Sequence, residues 1–169
     1  MSPYDDDFKA DGCPASTTAC RLGRTRDAFT CVAYQTLKKP NWTTGWLPNS
    51  ALAPVAPMRS PALSDWLGDW DQPLAGIEIK RGGIGGRLQI EGIAAYKGVR
   101  EVHTGAIEAQ VTPDRDSIAF LDDGWMPFAT QCDSGCKVRV HRIGELLLVE
   151  DNGNCGRVGV TFTGLYHRK

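Results

Sequence analysis

The chain has 169 residues, with 19 basic and 20 acidic side chains and a formal net charge of −1 at pH 7. This balance gives no global electrostatic reason to bind nucleic acid, and we expect no nucleic-acid partner. No apolar run approaches the roughly 20 residues that cross a bilayer, so we expect no transmembrane segment.

Residues 1–63 form the first predicted part: an acidic segment, a helix and a Pro-rich linker wrapped on the core. Capping threonines, an apolar stripe and Pro40 predict a helix near 17–37. In one continuous helix, Cys20 and Cys31 would be separated by roughly 16 Å, too far for a disulfide with each other. The prolines of residues 40–63 predict the linker, and the costly exposure of its two tryptophans favours a wrapped path.

Residues 64–169 form the second predicted part, a β-barrel domain. Short segments alternate apolar and polar residues between Gly- and Asp-rich turns, which is the pattern of half-buried strands. These segments are "LAGIEIK", "RLQIEG", "GAIEAQV", "SIAFLDDG", "CKVRVHRIG" and "RVGVTFTG". A further segment, "ELLLVE", is more continuously apolar, as a strand with both faces covered would be. No connection is long enough for a crossover helix, so the strands should be antiparallel. We predict a mainly β protein whose seven or eight strands close into a small lipocalin-like meander barrel, with a sandwich as the alternative.

The six cysteines favour an oxidising compartment. They are Cys13, Cys20, Cys31, Cys132, Cys136 and Cys155, and several lie in turns such as "DGCP", "CDSGC" and "NGNCG". An even number in such contexts is typical of disulfides, so all six are disulfide candidates and we predict a periplasmic or extracellular protein. The sequence begins without a signal peptide, and a reduced cytosolic protein with buried thiols is the alternative.

Motifs that resemble catalytic or metal sites have simpler explanations. The segment "KRGGIGGR" (80–87) leads into a strand rather than a helix, which favours a hairpin turn over a phosphate loop. "CDSGC" lacks the second ligand pair of a zinc site and the spacing of a redox pair. The three histidines, His103, His141 and His167, lie on separate elements without a nucleophile nearby. We therefore predict no enzyme activity, no metal and no cofactor.

Aromatic and charged side chains are the candidates for partner binding. Trp66 and Trp70 are interpreted as plugs of a barrel end, and the outward strand face of "CKVRVHRIG" as a solvated surface by default. Exposed aromatic residues in loops are typical anchors for a protein partner. The candidate loops are 81–87, 112–117 and 121–131. The candidate residues are Arg115, Asp122, Asp123, Trp125, Met126, Phe128, Arg139 and His141.

Residues 66–169 resemble the β-rich domain of LprI-like, lysozyme-inhibitor-like bacterial envelope proteins. The C-terminal run carries the resemblance: "CKVR" at 136–139, "LVEDN" at 148–152, "CG" at 155–156 and "VTFTGLY" at 160–166. Arg157 stands where that family has a second glycine. The resemblance implies an exported, disulfide-bonded barrel, with Cys136 as the partner of Cys155, and inhibition of lysozyme as its activity.

Two functions follow as hypotheses. The first is an exported binding protein that inhibits a cell-wall hydrolase such as lysozyme, or confers immunity against one, by occluding its cleft. The alternative is a barrel of the bacterial envelope that carries a small apolar ligand. Its cavity would be lined by Ile77, Ile79, Leu88, Ile90, Val138 and Val140.

Cys155 follows "DNGN", where Asn152-Gly153 predicts a type I′ hairpin turn that needs no sulfur. A partner on the strand two positions away would be about 9.6 Å distant, beyond disulfide reach, unless Cys155 folds over the end of the middle strand. We predict a disulfide at the barrel rim. Pairing of Cys155 with Cys132 or with an N-terminal cysteine is the alternative to Cys136.

Overall fold

A computed structural model of the chain describes residues 19–36, 39–52, 60–83, 85–122, 128–130 and 134–169. The chain divides into two compact units, Met1–Pro57 and Met58–Lys169. The first unit contains a three-stranded antiparallel sheet, and its order is β1-β2-β3. The strands are β1 (Ala19–Arg26), β2 (Phe29–Thr36) and β3 (Lys39–Pro48), followed by a short 3-10 turn at Asn49–Ala51.

The predicted helix near 17–37 is wrong, because β1 and β2 occupy this segment. Aromatic and β-branched residues dominate "FTCVAYQT", and such residues favour a pleated surface over a helix. Asp27 has a φ of +53° and makes the two-residue turn between Arg26 and Phe29. Tertiary pairing of this hairpin with β3 therefore overrides the apolar stripe that resembled a helix face.

The second unit is an eight-stranded antiparallel sheet preceded by a single helical turn, α1 (Leu63–Trp66). Its strands are β4 (Gly68–Gln72), β5 (Ala75–Arg81), β6 (Leu88–Lys97), β7 (Val102–Val111), β8 (Ser117–Leu121), β9 (Lys137–Ile143), β10 (Leu146–Asp151) and β11 (Gly164–Arg168). The predicted antiparallel, mainly β architecture is confirmed. In the described part of the chain, no helix has the length and apolarity needed to cross a membrane.

The sheet curls into a nearly closed barrel. Its strand order is β7-β6-β5-β4-β11-β10-β9-β8, so every pair is consecutive in the chain except β4 with β11. The first and last strands of the unit pair through His167 opposite Asp71 and Arg168 opposite Trp70. At the seam between β7 and β8, the backbone N–H of Glu108 donates to the Asp122 carboxylate at 2.7 Å. This side-chain contact links the two edge strands where no backbone ladder joins them.

Alternating residues of the strands fill the barrel. The predicted inward positions are buried in one cluster, and Ile77, Ile79, Leu88, Ile90, Val138 and Val140 are each at most 2% exposed. The Gly-rich segment 80–87 joins β5 to β6, with the Gly82 N–H donating to the Arg87 carbonyl, so the predicted hairpin is confirmed.

Trp66 and Trp70 close one end of the barrel. Both side chains are fully buried, and the Trp70 indole N–H donates to the Trp66 carbonyl at 2.9 Å. The guanidinium groups of Arg142 and Arg168 lie over the Trp70 ring, 5.5 and 4.7 Å from its centroid, and both donate to the carbonyl of Asp65. The predicted plug is therefore held by two cation–π contacts and a shared backbone acceptor.

The loop of residues 152–163 closes the opposite end. The predicted strand "RVGVTFTG" is wrong, because β11 begins only at Gly164 and Val158 is exposed. Val160 and Phe162 still point into the core, and the Tyr166 hydroxyl donates to the Phe162 carbonyl at 2.8 Å. The predicted type I′ turn is also wrong, because of its two residues only Gly153 has a positive φ, +78°. We call this segment the end loop.

The carboxylate of Asp151 fastens both ends of the end loop. One oxygen accepts the Gly153 N–H at 2.7 Å. The other accepts the Thr161 hydroxyl at 2.7 Å and the backbone N–H groups of Phe162 and Thr163. The Asp151 N–H in turn donates to the Thr163 hydroxyl at 3.0 Å. A single ionised side chain thus replaces the backbone ladder that a tight hairpin would have supplied.

A disulfide between Cys136 and Cys155 fixes the middle of the end loop to the start of β9. Their Cα atoms are 4.5 Å apart, and both residues are buried in the core cluster. The pairing implied by the family resemblance is therefore present. The strand-spacing problem does not arise, because Cys155 lies in the end loop and not on a strand. The Cys31 thiol is free, while Cys13, Cys132 and the side chain of Cys20 lie outside the described residues.

Contacts with β6 and β7 hold the outer part of the end loop. The backbone of Gly105 touches that of Cys155 and Gly156 so closely that a side chain at position 105 would clash. The Val158 carbonyl lies 2.7 Å from Nδ1 of His103, whose Nε2 lies 3.0 Å from the Glu101 carboxylate. Both ring nitrogens therefore face acceptors, an arrangement that suits the imidazolium form.

Replacing Asp151 with Asn should lower the free energy of unfolding by about 2 kcal/mol, because the amide group presents hydrogens to N–H donors and carries no charge. Urea denaturation measures this loss. The matched control is Asp114→Asn, an exposed carboxylate, which should change stability by less than about 0.5 kcal/mol. Equal stability of D151N and the wild type would contradict this role of Asp151.

The pKa of His103 should lie above its ordinary value of 6.5, because the ring donates to Glu101 and to the Val158 carbonyl. Since the folded-state pKa is raised, the stabilising contribution is fully present below pH 6.5 and is lost as the pH rises through the raised value. NMR titration of the ring measures this pKa. Glu101→Gln should lower it and Glu145→Gln should not, whereas a pKa at or below 6.5 in the wild type would refute the assignment.

Candidate functional site

Four carboxylates lie in one row across the outer face of the barrel. Asp69 of β4 is the cross-strand partner of Glu78 in β5, Glu78 is the partner of Glu91 in β6, and Glu91 is the partner of Glu108 in β7. Their strand neighbours Trp70, Ile77, Ile90 and Ile107 are buried, so the acids face solvent. We call these four side chains the acidic row.

We expect the acidic row to lower the stability of the isolated protein. Side chains directly opposite each other on neighbouring strands are about 5 Å apart, and like charges at that distance repel. The fold does not require this arrangement, since elsewhere in the same sheet Arg139 of β9 faces Glu150 of β10. The fold could therefore form without these three consecutive like-charged pairs.

A shallow groove runs along the acidic row. Asp69, Glu78 and Glu91 line it together with Asp71, while Gly76 leaves its floor without a side chain. Ile93, 67% exposed, contributes an apolar wall. The groove therefore combines four carboxylates and Lys169 with the exposed apolar side chain of Ile93. The excess of carboxylates suits a cationic side chain with an aliphatic stem.

Two lysines at the margins partly balance this charge. The Lys80 ammonium lies 2.7 Å from the Glu78 carboxylate, and that hydrogen bond raises the pKa of Lys80, with further contributions from the charges of Glu91 and Asp69. The hydrogen bond from Lys169 to Asp71, at 2.8 Å, likewise raises the pKa of Lys169. Both ion pairs are exposed, so a partner can displace these lysines at little cost.

The structure separates the loops predicted to bind a partner. Loops 81–87 and 112–117 lie at the Trp66 end of the barrel, whereas loop 121–131 leaves β8 at the end-loop end. Arg115 is exposed in the β7–β8 connection with a φ of +55°.

The other predicted partner residues also divide. The Phe128 ring lies beneath the guanidinium of Arg139, 5.1 Å from its centroid, so these two candidates come together. The Asp122 carboxylate accepts the hydrogen bond that links β7 to β8. His141 lies on the outer face, with Ser117 and Leu148 as its cross-strand partners. The predicted residues Asp123, Trp125 and Met126 lie outside the described residues. Arg142, the next residue of β9 after His141, is buried at the Trp66 plug.

Sequence analysis missed the acidic row, although three of the four strands that carry it were predicted. The outward positions "E" in "LAGIEIK", "RLQIEG" and "GAIEAQV" were each visible as polar alternation. Only the register between strands, which depends on loop lengths, aligns them into one row. The signal that could have found the row is the repeated acid at the centre of successive strands.

No catalytic or metal centre is assembled among the described residues. The histidines at 103, 141 and 167 lie on β7, β9 and β11, and no group of three or more His, Cys, Asp or Glu side chains in the described part of the chain is arranged to hold a metal ion. The expectation that the protein is not an enzyme stays a prediction.

The residues predicted to line a ligand cavity are packed side chains of the barrel core. The residues predicted to line an apolar cavity pack in the same cluster as Trp66, Phe162 and Tyr166, which enter from the two ends. Burial raises the pKa of the Tyr166 hydroxyl, which accepts a hydrogen bond from Gln72 at 3.2 Å. The ligand-carrier alternative stays an expectation from the sequence.

Comparisons of the chain with protein families, curated proteins and solved structures find no match. The resemblance to lysozyme-inhibitor-like envelope proteins therefore stays an expectation from the sequence.

Replacing Glu91 with Gln should raise the free energy of unfolding by about 0.5 kcal/mol, because Glu91 has like-charged partners on both neighbouring strands. Urea denaturation at low ionic strength measures the gain, and added salt should reduce it. Glu145→Gln, an exposed acid outside the row, is the control and should leave stability unchanged. A loss of stability in E91Q would show that the row is not repulsive.

Proposed function

We propose that this protein is an exported binding protein that inhibits a basic cell-wall hydrolase, such as a lysozyme, by occluding its cleft. The observation that carries the proposal is the acidic row, a repulsive arrangement whose charge a cationic partner would neutralise. Surface features that lower stability are expected where binding depends on them.

The groove beside the row suggests how contact is made. A lysine or arginine of the partner would lie over Gly76, with its charge among the carboxylates of Asp69, Asp71 and Glu78. Its aliphatic stem would contact Ile93. Lys80 and Lys169 would be displaced from their exposed ion pairs, so the partner's charge replaces charges already present. Such a face gives fast, salt-sensitive association as well as affinity.

The Cys136–Cys155 disulfide supports a periplasmic or extracellular location. Buried structural disulfides persist in oxidising compartments, and a small secreted barrel gains stability from closing a loop in this way. A cell-wall hydrolase would be met in the same compartment.

The test is lysis of a peptidoglycan suspension by several basic lysozymes and an acidic amidase, with and without the disulfide-intact protein. We expect inhibition of at least one basic enzyme and none of the acidic enzyme. Glu78→Gln/Glu91→Gln should weaken inhibition by at least about tenfold, because two charges of the row are lost.

The matched control is Asp114→Asn/Glu145→Gln, which removes two exposed carboxylates outside the row. It should inhibit as the wild type does. Unchanged lysis by every basic hydrolase, or equal inhibition by the row variant, would contradict the proposal.

A further inference from the structure

A group of exposed apolar side chains lies at the end-loop end of the barrel. Among the described residues, Val99 is fully exposed at the β6–β7 turn, and Val102, Tyr96 and Val158 are 60%, 42% and 84% exposed. Three of these belong to one hairpin, and the fourth lies in the end loop. We call these four residues the apolar tip.

The end loop packs against one face of the hairpin. The Tyr96 ring packs against the backbone of Gly159, where an added side chain would lie 2.9 Å from the ring. The His103 ring holds the carbonyl of Val158 at 2.7 Å. These two contacts hold the backbone of Val158 and Gly159 against the hairpin face that carries Tyr96 and His103. Val102, the cross-strand partner of Lys97, lies on the opposite face of the same hairpin.

Basic side chains surround the apolar tip. Lys97 and Arg100 are exposed in the hairpin, and Arg157 is exposed next to Val158. The acid of this hairpin, Glu101, is within 3.0 Å of the His103 ring. Although the whole chain has a net charge of −1, the hairpin and Arg157 together therefore carry three basic side chains against one acid.

We propose that the apolar tip docks the protein on an anionic lipid surface, with the valines entering the interface and the basic side chains contacting headgroup phosphates. Apolar residues flanked by Lys and Arg favour this position, since burial of apolar area and attraction to anionic lipid act together. Tyr96 suits the boundary, because its ring has an apolar body and a polar hydroxyl.

The shape of the apolar tip favours a lipid surface over a protein pocket. Val99 is 104% exposed at the turn of a hairpin, so it projects from the surface instead of lining a groove. Projecting valines can enter a lipid interface, which adapts to them, whereas a protein partner would need a matching cavity. Hot spots in protein interfaces are more often large aromatic or arginine anchors in packed pockets.

The proposed orientation keeps the acidic row accessible. Glu91 and Lys97 are six residues apart on β6, which places them roughly 20 Å apart along the strand. An anionic surface at the apolar tip would attract the basic side chains and repel the row. The row would therefore face the space beside the membrane.

The test is co-sedimentation of the disulfide-intact protein with vesicles of phosphatidylcholine alone or mixed with phosphatidylglycerol. We expect binding to the anionic vesicles, weakened by salt. Val99→Asp/Val158→Asp should lower the partition coefficient by at least about tenfold through lost apolar burial. Arg100→Gln/Arg157→Gln should lower it by a similar factor through lost charge.

Two matched controls keep the same chemistry away from the apolar tip. Ala119→Asp changes an exposed apolar residue on the outer wall of β8, and Arg87→Gln/Arg115→Gln removes two charges at the Trp66 end. Both should bind as the wild type does, and circular dichroism checks that every variant folds. Absence of binding to anionic vesicles, or equal loss in the controls, would overturn the proposal. Another contradicting result would be that the wild type forms a dimer in sedimentation velocity, that V99D/V158D is monomeric, and that neither protein binds vesicles. In that case a second copy of the chain would cover the apolar tip.

Discussion

The end of the barrel that the end loop covers depends on the hydrogen bonds to the Asp151 carboxylate. An eight-stranded barrel needs its ends covered, and here the cover is a loop whose backbone has no ladder to satisfy it. Asp151 accepts four hydrogen bonds from the loop, which brings Val160 and Phe162 over the core. The disulfide at Cys155 then fixes the middle of the loop to β9. The apolar tip follows from this, because the same loop carries Val158 to the β6–β7 hairpin.

The strands of the barrel were predictable because their signal is local. Alternation of side chains identifies β5 to β10 wherever one face packs on the core. The predictions of a helix near 17–37 and of a strand at "RVGVTFTG" were wrong for opposite reasons. In the first segment, the apolar stripe was interpreted as a helix face, whereas the chain forms a hairpin whose turn contains Asp27 at a positive φ. In the second segment, alternation was present, but the backbone N–H groups of Phe162 and Thr163 donate to the Asp151 carboxylate and not to a neighbouring strand. The acidic row was beyond sequence analysis because it depends on register.

Two surfaces of opposite charge divide the barrel. The acidic row crosses the wall at the middle of β4 to β7, and the basic side chains surround the hairpin that ends β6. The near-zero net charge of the chain conceals both. The proposed functions use them separately: the tip would hold the protein at an anionic surface, and the row would meet a basic hydrolase acting beside it. Neither surface is needed to fill the core, which Trp66 and Phe162 complete from the two ends.

The most direct test of the account is zero-length carbodiimide cross-linking of the protein to a basic lysozyme, with the linked peptides identified by mass spectrometry. This reagent joins a carboxylate to a lysine only when the two are in contact. The account predicts links from Glu78 and Glu91 of the acidic row to lysines of the lysozyme, lost when salt is added. Links that arise only from acids outside the row, or no links at all at concentrations where lysis is inhibited, would contradict it.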